Sequence, residues 1–325
     1  MKTTWCSVTG TGHHKAGKPC EDAVFYAVSP KAAAIAVCDG AGSARLAAEG
    51  AAICSKSAAE FAAAYFEEFY QADAAEREAM LLDTVRMALS EEAARRSANI
   101  CDLACTLMLA VRAPDGRAVI LQIGDGLIFG QDNAGTAALL SRYEHTFMNL
   151  TSFVTSSDTR CMTKRYRNTS AFLLMTDGVA ENYMLTADAK PRKTVTTLLE
   201  LAYLLPQQLA EQEMKSFAAF LQSRHVRDDI SIAVMADPAR TDAVLCELKE
   251  TIHTKLFGLP ARNSKRLRNK DLTLLQGLYK AGGITAQEAA AKLHLHDSRF
   301  AKRYLQRMCE RGIVCCENGR YTVPD

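Results

Sequence analysis

Ala34-Ile35-Ala36-Val37-Cys38-Asp39-Gly40-Ala41-Gly42 is a run of small apolar residues that stops abruptly on a carboxylate and two glycines. A short apolar run bounded by turn formers reads as a buried strand. A carboxylate at the end of such a strand is costly unless it is paired, solvated or bound to a metal. The pattern recurs along the chain. Phe172-Leu173-Leu174-Met175-Thr176 ends in Asp177-Gly178, Arg227-Asp228-Asp229 leads into Ile230-Ser231-Ile232-Ala233-Val234-Met235, and Glu21-Asp22 opens Ala23-Val24-Phe25-Tyr26-Ala27-Val28. Any one of these is ordinary. Together, at strand ends that one sheet edge can gather, they point to a site for a hard cation.

Working outward, residues 3–9, 23–28 and 32–38 read as strands, and alanine-rich helices follow at about 44–70 and 74–98. Leu46, Ile53, Phe61, Tyr65 and Phe69 are the apolar anchors expected of the first helix. Strands are expected at 103–112 and 117–123, joined by the turn Ala113-Pro114-Asp115-Gly116. Leu127–Gly130 and Ala137–Leu140 continue the meander, and the polar segment 141–170 reads as a long loop or flap near the site. Strand 171–176, helices at 194–204 and 207–223, and strand 230–235 complete the order. Because the helices come in paired blocks, regular βαβ alternation does not fit. The expected class is α+β: an α-β-β-α sandwich of antiparallel sheets flanked by helices.

The chain has 325 residues, 48% hydrophobic and 23% charged, enough for one large domain and a small one. No apolar stretch approaches the roughly 18–20 residues that span a bilayer, so no membrane partner is expected. Met1-Lys2-Thr3-Thr4-Trp5-Cys6-Ser7 lacks the apolar core of a signal peptide, and a cytoplasmic location is expected. Eleven cysteines are present, but Cys38, Cys54 and Cys105 sit in apolar or alanine-rich segments and no pair of CxxC knuckles exists. Reduced, structural thiols are expected rather than disulfides or structural zinc. Charge is split unevenly. Residues 262–325 hold 13 Lys/Arg against 6 Asp/Glu, whereas 1–261 hold 26 against 31, a division expected of two units with different partners.

The acidic blocks, in their order, make residues 3–236 resemble the metal-dependent type 2C protein phosphatases. Glu21-Asp22 matches that family's early acidic pair, and Val37-Cys38-Asp39-Gly40-Ala41-Gly42 its V-x-D-G-x-G block. Ile123-Gly124-Asp125-Gly126, Met175-Thr176-Asp177-Gly178-Val179 and Arg227-Asp228-Asp229-Ile230-Ser231 match the three later blocks. The resemblance implies a bacterial phosphatase that hydrolyses phosphoserine or phosphothreonine in proteins. Its attacking group would be a water bridged by two Mn2+ or Mg2+ ions, with no covalent phosphoenzyme. It implies that Asp39 bridges the metals and the Gly40 carbonyl joins one of them. Asp177 and Asp228 then serve the other, Glu21 and Asp22 contact metal directly or through water, Asp125 matches the ligand of a third ion in some members, and Asp229 stands behind. The chemistry fits the donor set: phosphomonoester hydrolysis needs charge neutralisation and in-line positioning of water, which paired hard cations supply.

Two departures stand out. The arginine that in the family grips the phosphate is absent from Gly12-His13-His14-Lys15-Ala16-Gly17-Lys18-Pro19-Cys20. Lys18, Lys15 or His13 is left to supply the charge without arginine's bidentate fork. The Asp125 block also lacks the serine-arginine that often follows it. Against the metal reading, each Asp-Gly alone is a common turn, and His13-His14 reads more simply as loop than as ligands. Gly40-Ala41-Gly42 has Arg45 where a dinucleotide fingerprint needs its third glycine.

After Gly258-Leu259-Pro260 ends a helix begun near 239, the basic segment 261–270 reads as a linker between a 1–260 phosphatase domain and a 271–325 module. Leu272, Leu275 and Leu278 mark a first helix, Thr285 with Glu288 a capping box for a second, and Asp297 caps a third running through Arg311. Glu317-Asn318-Gly319 is a hairpin signal. The outline resembles a winged helix-turn-helix. On its third helix Phe300, Leu305 and Met308 are expected inward, and Arg299, Lys302, Arg303, Gln306 and Arg307 outward. That basic face fits a DNA groove, a protein partner or an intramolecular contact. The rival function is a catalytically weak or inactive phosphatase-fold regulator that binds DNA or a protein partner through this module.

Overall fold

The computed structural model describes residues 1–142, 151–179, 181–224, 226–246, 273–274, 277–278 and 281–324. Two five-stranded sheets organise the larger part. The first runs β2 (Asp22–Val28), β3 (Ala33–Asp39), β4 (Leu107–Arg112), β5 (Ala118–Ile123) and β8 (Cys161–Tyr166). The second runs β1 (Lys2–Val8), β10 (Ile230–Ala236), β9 (Thr169–Met175), β6 (Leu127–Asp132) and β7 (Ala137–Arg142). Neighbours β2–β3, β3–β4, β4–β5 and β5–β8 are antiparallel, as are β10–β9, β9–β6 and β6–β7.

The sheets meet through Ile35, Val37, Met108 and Ile120 on one side and Ile128, Phe172, Leu174 and Met235 on the other. The opposite face of the first sheet packs on α2 (Ala47–Ala64), α3 (Phe66–Gln71) and α4 (Ala74–Arg95) through Ala51, Ala58, Phe66, Phe69, Leu81 and Leu89. Strands buried on both faces read as continuous apolar runs, which is why β3, β4 and β9 were legible without alternation. Alanines on α2 let its backbone approach the sheet. At Gly50 even a methyl has no room, because an added Cβ would lie 2.2 Å from the Leu103 carbonyl oxygen. α4 opens with a reciprocal capping box between Asp73 and Glu76.

Several expectations need correction. The single helix expected over 44–70 breaks at Tyr65, which is 54% exposed, and Phe66 takes the inward position instead. The break re-phases the chain so that both Phe66 and Phe69 reach the core. Segment 141–170 is not wholly a loop. Residues 143–150 lie outside the described residues, but Cys161–Tyr166 forms β8, paired with β5 from Ile123↔Cys161 to Ala118↔Tyr166. An edge strand has one neighbour and keeps residues such as Lys164 and Arg165 exposed, so it lacks the apolar signature. The 12–20 stretch, read as loop, contains α1 (Thr11–Ala16), ended by Gly17 in the left-handed conformation at φ 67°. α6 (Lys193–Leu204) and α7 (Gln207–Ser223) fall where the sequence puts them.

By its internal contacts the chain divides into two compact units. One comprises Thr3–Leu199 and Met214–Ala236, and the other Glu200–Glu213 and Asp237–Asp325. The helix expected from 239 to 256 is described only as Thr241–Cys246, and 261–270 lies outside the described residues. In the second unit β11 (Ile284–Thr285), β13 (Arg320–Thr322) and β12 (Cys315–Glu317) form an antiparallel three-stranded sheet in that order. β11 had no sequence signal, since two residues carry no periodicity. Thr285 and Glu288 form the capping box of helix Ala286–Lys292, and Asp297 caps helix Ser298–Glu310. The hairpin turns on Asn318 (φ 51°) and Gly319 (φ 79°), the paired positive values of a type I′ turn. Phe300 is a correction: it is 59% exposed, and Ala301, Leu305 and Met308 form the buried stripe. Leu272 and Leu275 lie outside the described residues, and Leu278 is buried. Among the described residues no helix is long and apolar enough to cross a membrane.

Candidate metal centre and active site

The antiparallel register gathers the acids at one end of the sandwich. Asp22 opens β2 and Asp39 closes β3, and the two are direct cross-strand partners. Like charges directly opposite on a ladder repel, so this pairing needs an outside reason. Asp177 lies just beyond the end of β9, and Asp228 just before β10, its antiparallel neighbour. Asp125 sits in the turn between β5 and β6. All four of the other acids, Asp22, Asp177, Asp228 and Asp125, act on the Asp39 carboxyl.

Local chemistry fixes each acid. The Thr106 hydroxyl accepts from the Asp39 N–H at 3.0 Å, and the Thr106 N–H donates to the Asp39 carbonyl at 2.8 Å. Thr176 Oγ1 donates to Asp22 Oδ2 at 2.9 Å and accepts from the Ser231 N–H at 3.0 Å, tying the acid of one sheet to β10 of the other. Asp22 Oδ1 is buried without a hydrogen-bond partner, as is Glu21 Oε2. Turn Gly124-Asp125-Gly126 holds both glycines at positive φ, 86° and 116°. A Cβ at Gly126 would meet Met108 Sδ at 2.6 Å and the Met175 carbonyl oxygen at 2.8 Å, so this position is closed to a side chain. Thr151 Oγ1 donates to Asp125 Oδ2 at 2.9 Å.

Asp229 is placed differently from its neighbour. Its Oδ1 accepts from the Gly10 N–H at 2.6 Å, and its Oδ2 accepts from the Glu21 N–H at 2.6 Å and faces His13 Nδ1 at 3.0 Å. Both oxygens are thus used to strap the 10–21 segment to β10, whereas Asp228 is exposed. Lys18 Nζ donates to Glu21 Oε1 at 3.0 Å, and His13 Nε2 lies 3.5 Å from Glu21 Oε2. Lys15 is exposed and makes no contact of this kind among the described residues. Among the described residues, Lys18 and His13 are thus brought beside the acids. The backbone N–H of Gly40 donates to the Glu21 carbonyl at 3.1 Å, and an added Cβ there would lie 2.7 Å from that oxygen.

Burial and mutual repulsion raise Asp22, Asp39 and Asp177 above the ordinary carboxylate range. Asp22 is pushed up to about 7, by burial first, against hydrogen bonds from Ser231 and Thr176, with Asp229 and Asp228 adding to the rise. Asp177, open to solvent on one side, rises to about 6 through partial desolvation and the charges of Asp125 and Asp228. Asp39, central to the group, is raised furthest, by burial and then by Asp22 and Asp177. Buried carboxylates that cannot all ionise alone, with an orphaned oxygen on Asp22 and another on Glu21, fit divalent oxygen-ligated cations.

A protein-family model described as protein phosphatase 2C matches residues 9–222, which contain Glu21, Asp22, Asp39, Asp125 and Asp177. The chain belongs to the protein phosphatase 2C family. This phosphatase is 29% identical over 205 residues to serine/threonine-protein phosphatase 3 of Escherichia coli K12, covering 58% of this chain and 78% of that protein. Its fold is similar to that of serine/threonine phosphatase Stp1 from Staphylococcus aureus, with TM-score 0.50, 15% identity, 73% of this chain and 95% of that chain covered. It is also similar to a bacterial serine phosphatase carrying an arginine-to-lysine substitution, with TM-score 0.50, 14% identity, 73% and 97% covered. At such identities the two solved structures speak to the fold alone. Family membership makes the chain a hydrolase of phosphoproteins, in a family that uses Mg2+ or Mn2+.

Sequence reasoning missed the phosphatase's Thr106 and the Gly10 contact. Neither belongs to an acidic block, and each acts through a hydrogen bond to a residue more than sixty positions away. Thr176 stands within its acidic block, but nothing local announces that its hydroxyl reaches Asp22 across 154 positions.

Proposed function

We propose that this chain is a serine/threonine protein phosphatase that hydrolyses phosphoserine and phosphothreonine with two Mn2+ or Mg2+ ions and a bridged water. The supporting observation is the convergence of Asp22, Asp39, Asp125, Asp177 and Asp228 on one sandwich end, with Asp22 Oδ1 orphaned. Asp39, the Gly40 carbonyl, Asp22, Asp177 and Asp228 would hold the ions, Glu21 would assist directly or through water, and Asp125 offers a place for a third. When bound, such cations lower the pKa of water held between them and neutralise charge on phosphoryl oxygens.

The chain's own residues do the rest. Thr106 and Thr176 fix the directions of Asp39 and Asp22. Asp229 holds α1 and the Glu21 backbone in place, so the cationic segment borders the acids. Lys18, released from Glu21, is the group we assign to grip substrate phosphate, with His13 beside it. As a point charge Lys18 neutralises without imposing bidentate geometry.

The inactive-regulator reading is not favoured, because a dead site has no use for mutually repelling carboxylates. We assign 271–325, joined to the 1–260 phosphatase domain by the 261–270 linker, to a winged helix-turn-helix-like module for a DNA or protein partner. The exposed Arg299, Lys302, Arg303 and Arg307 on helix Ser298–Glu310 support it. A cytoplasmic signalling role fits the phosphoprotein substrate. Hydrolysis of p-nitrophenyl phosphate with and without Mn2+, in wild type and Asp39→Asn, tests the mechanism. Activity that needs Mn2+ and vanishes in the variant is expected, and metal-independent turnover defeats it.

A further inference from the structure

Beneath the acidic centre lies a second cluster of ligand atoms with the opposite chemical character. Cys38 on β3, Cys54 on α2 and Cys105, which bridges Gly40 just before β4, place their sulfurs within 4.8 Å of one another. All three side chains are completely buried, within the apolar layer that contains Ala36, Ala51, Ala58, Leu103 and Leu107. The groups acting electrostatically on Cys54 and Cys105 are the other thiols of the cluster, with no lysine or arginine among them. Three separate elements thus deliver thiols to one point, from positions 38, 54 and 105.

Softness and charge decide what such a point takes. Thiolates select thiophilic ions over the Mg2+ or Mn2+ suited to the carboxylates nearby. A three-coordinate pyramidal centre bonded to sulfurs at about 2.3 Å spaces them about 3.5 Å apart, and the three sulfurs already lie within 4.8 Å of one another. Three thiolates carry three negative charges. A monovalent ion would leave two of them uncompensated and a divalent ion one, where only the other thiols of the cluster act on Cys54 and Cys105, at a cost of several kcal/mol unless a thiol keeps its proton and with it a weaker bond. A trivalent thiophile leaves the buried group neutral with all three sulfurs bonded as thiolates.

We propose that Cys38, Cys54 and Cys105 form a binding site for trivalent arsenic, supplied as arsenous acid, As(OH)3. Three As–O bonds break and three As–S bonds form. Each thiol proton leaves with a hydroxide as water, and arsenic stays trivalent, so no oxidant or reductant is required. No free thiolate has to persist in the core. The site couples to the catalytic end through the backbone. Cys38 directly precedes Asp39, and Cys105 directly precedes Thr106, whose hydroxyl and N–H hold the Asp39 backbone. Drawing the sulfurs together therefore shifts both residues that set the position of Asp39. This coupling rests on the phosphatase reading, whereas the binding does not.

Native mass spectrometry of the full chain after incubation with sodium arsenite, followed by desalting, tests the site. Wild type is expected to retain one arsenic with loss of three hydrogens. Cys54→Ala and Cys105→Ala, both shown folded by thermal melts, should lose that adduct, and Cys101→Ser and Cys316→Ser, at exposed positions, should keep it. No retained arsenic in wild type, or an adduct that survives Cys54→Ala, overturns the proposal. Zinc sulfate in a parallel series should be held at least tenfold more weakly, and the reverse order overturns the charge argument. Arsenite should reduce p-nitrophenyl phosphate hydrolysis in step with loading and spare Cys54→Ala. Loading without inhibition removes the coupling to Asp39. Absence of Mn2+-dependent hydrolysis before any arsenite is added counts against the phosphatase reading alone.

Discussion

At the scale of single residues, the acidic centre lowers the stability of the metal-free protein. Asp22 has its carboxyl raised to about 7 from an ordinary value of 3.8, chiefly by burial. Between those values the metal-free folded protein binds more protons than the unfolded chain, so its stability falls as pH rises through that window. Asp22→Asn removes the penalty. In EDTA the variant should melt higher than wild type at pH 8, by on the order of 2 kcal/mol, and the advantage should vanish near pH 4. Thermal melts across that range check it, and the same variant should lose most phosphatase activity. Lys18→Ala should raise KM for a phosphopeptide more than it lowers kcat, because it removes charge shared by bound substrate and transition state. Lys18→Arg should restore binding, which steady-state kinetics can read.

At the scale of elements, the turns joining strands set the geometry. A Cβ at Gly178 would lie 1.9 Å from the Asp229 carbonyl oxygen, so β9 and β10 can end this close only with glycine there. Gly178→Ala should cost about 2–4 kcal/mol and, in the folded fraction, weaken Mn2+ binding by separating Asp177 from Asp228. Denaturant melts and metal titration separate the two effects. Asp73→Ala, which removes the cap of α4 far from the acids, should cost about 1 kcal/mol and leave turnover unchanged. The elements were legible in proportion to their burial. β3, β4, β9 and β10 are buried almost throughout and, apart from β4, which begins only at Leu107 after a 3-10 turn over Ile100–Leu103, stand close to where the sequence puts them, and the caps at Thr285 and Asp297 mark real helix starts. β8 and β11 were not legible, because an edge strand and a two-residue strand are defined by their partners. Phe300 was misassigned because hydrophobicity alone does not choose between adjacent helical positions, and Ala301 holds the inward one.

At the scale of the whole molecule, charge and chemistry separate along the chain. Every acid of the centre, with Lys18 and His13, belongs to the unit formed by Thr3–Leu199 and Met214–Ala236. The basic helix Ser298–Glu310 belongs to the other. Converting Arg299, Lys302, Arg303 and Arg307 together to Glu should therefore leave p-nitrophenyl phosphate turnover within about twofold, since surface substitutions of this kind cost little stability. The same variant should lose any binding of duplex DNA that wild type shows at low salt in a gel shift, because phosphate contacts carry that affinity. Unchanged DNA binding would remove this helix from the interface.

The amino-acid sequence by itself determined the family, the strand cores and the identity of the acids, because burial on both sheet faces and Asp-Gly turns leave their mark locally. It also determined that residues 12–20 hold lysines and histidines but no arginine, where the family resemblance implies one. Only the tertiary structure decided how those parts serve one another. Asp22 faces Asp39 across a strand pair, Thr176 reaches back to Asp22, and Asp229 spends both oxygens on the 10–21 segment while Asp228 stays open. The same folding turned three scattered cysteines, each a plausible small hydrophobe in its own segment, into one triangle of sulfurs. Contacts between residues distant in sequence follow from register and packing, and neither is written in the neighbourhood of any single residue.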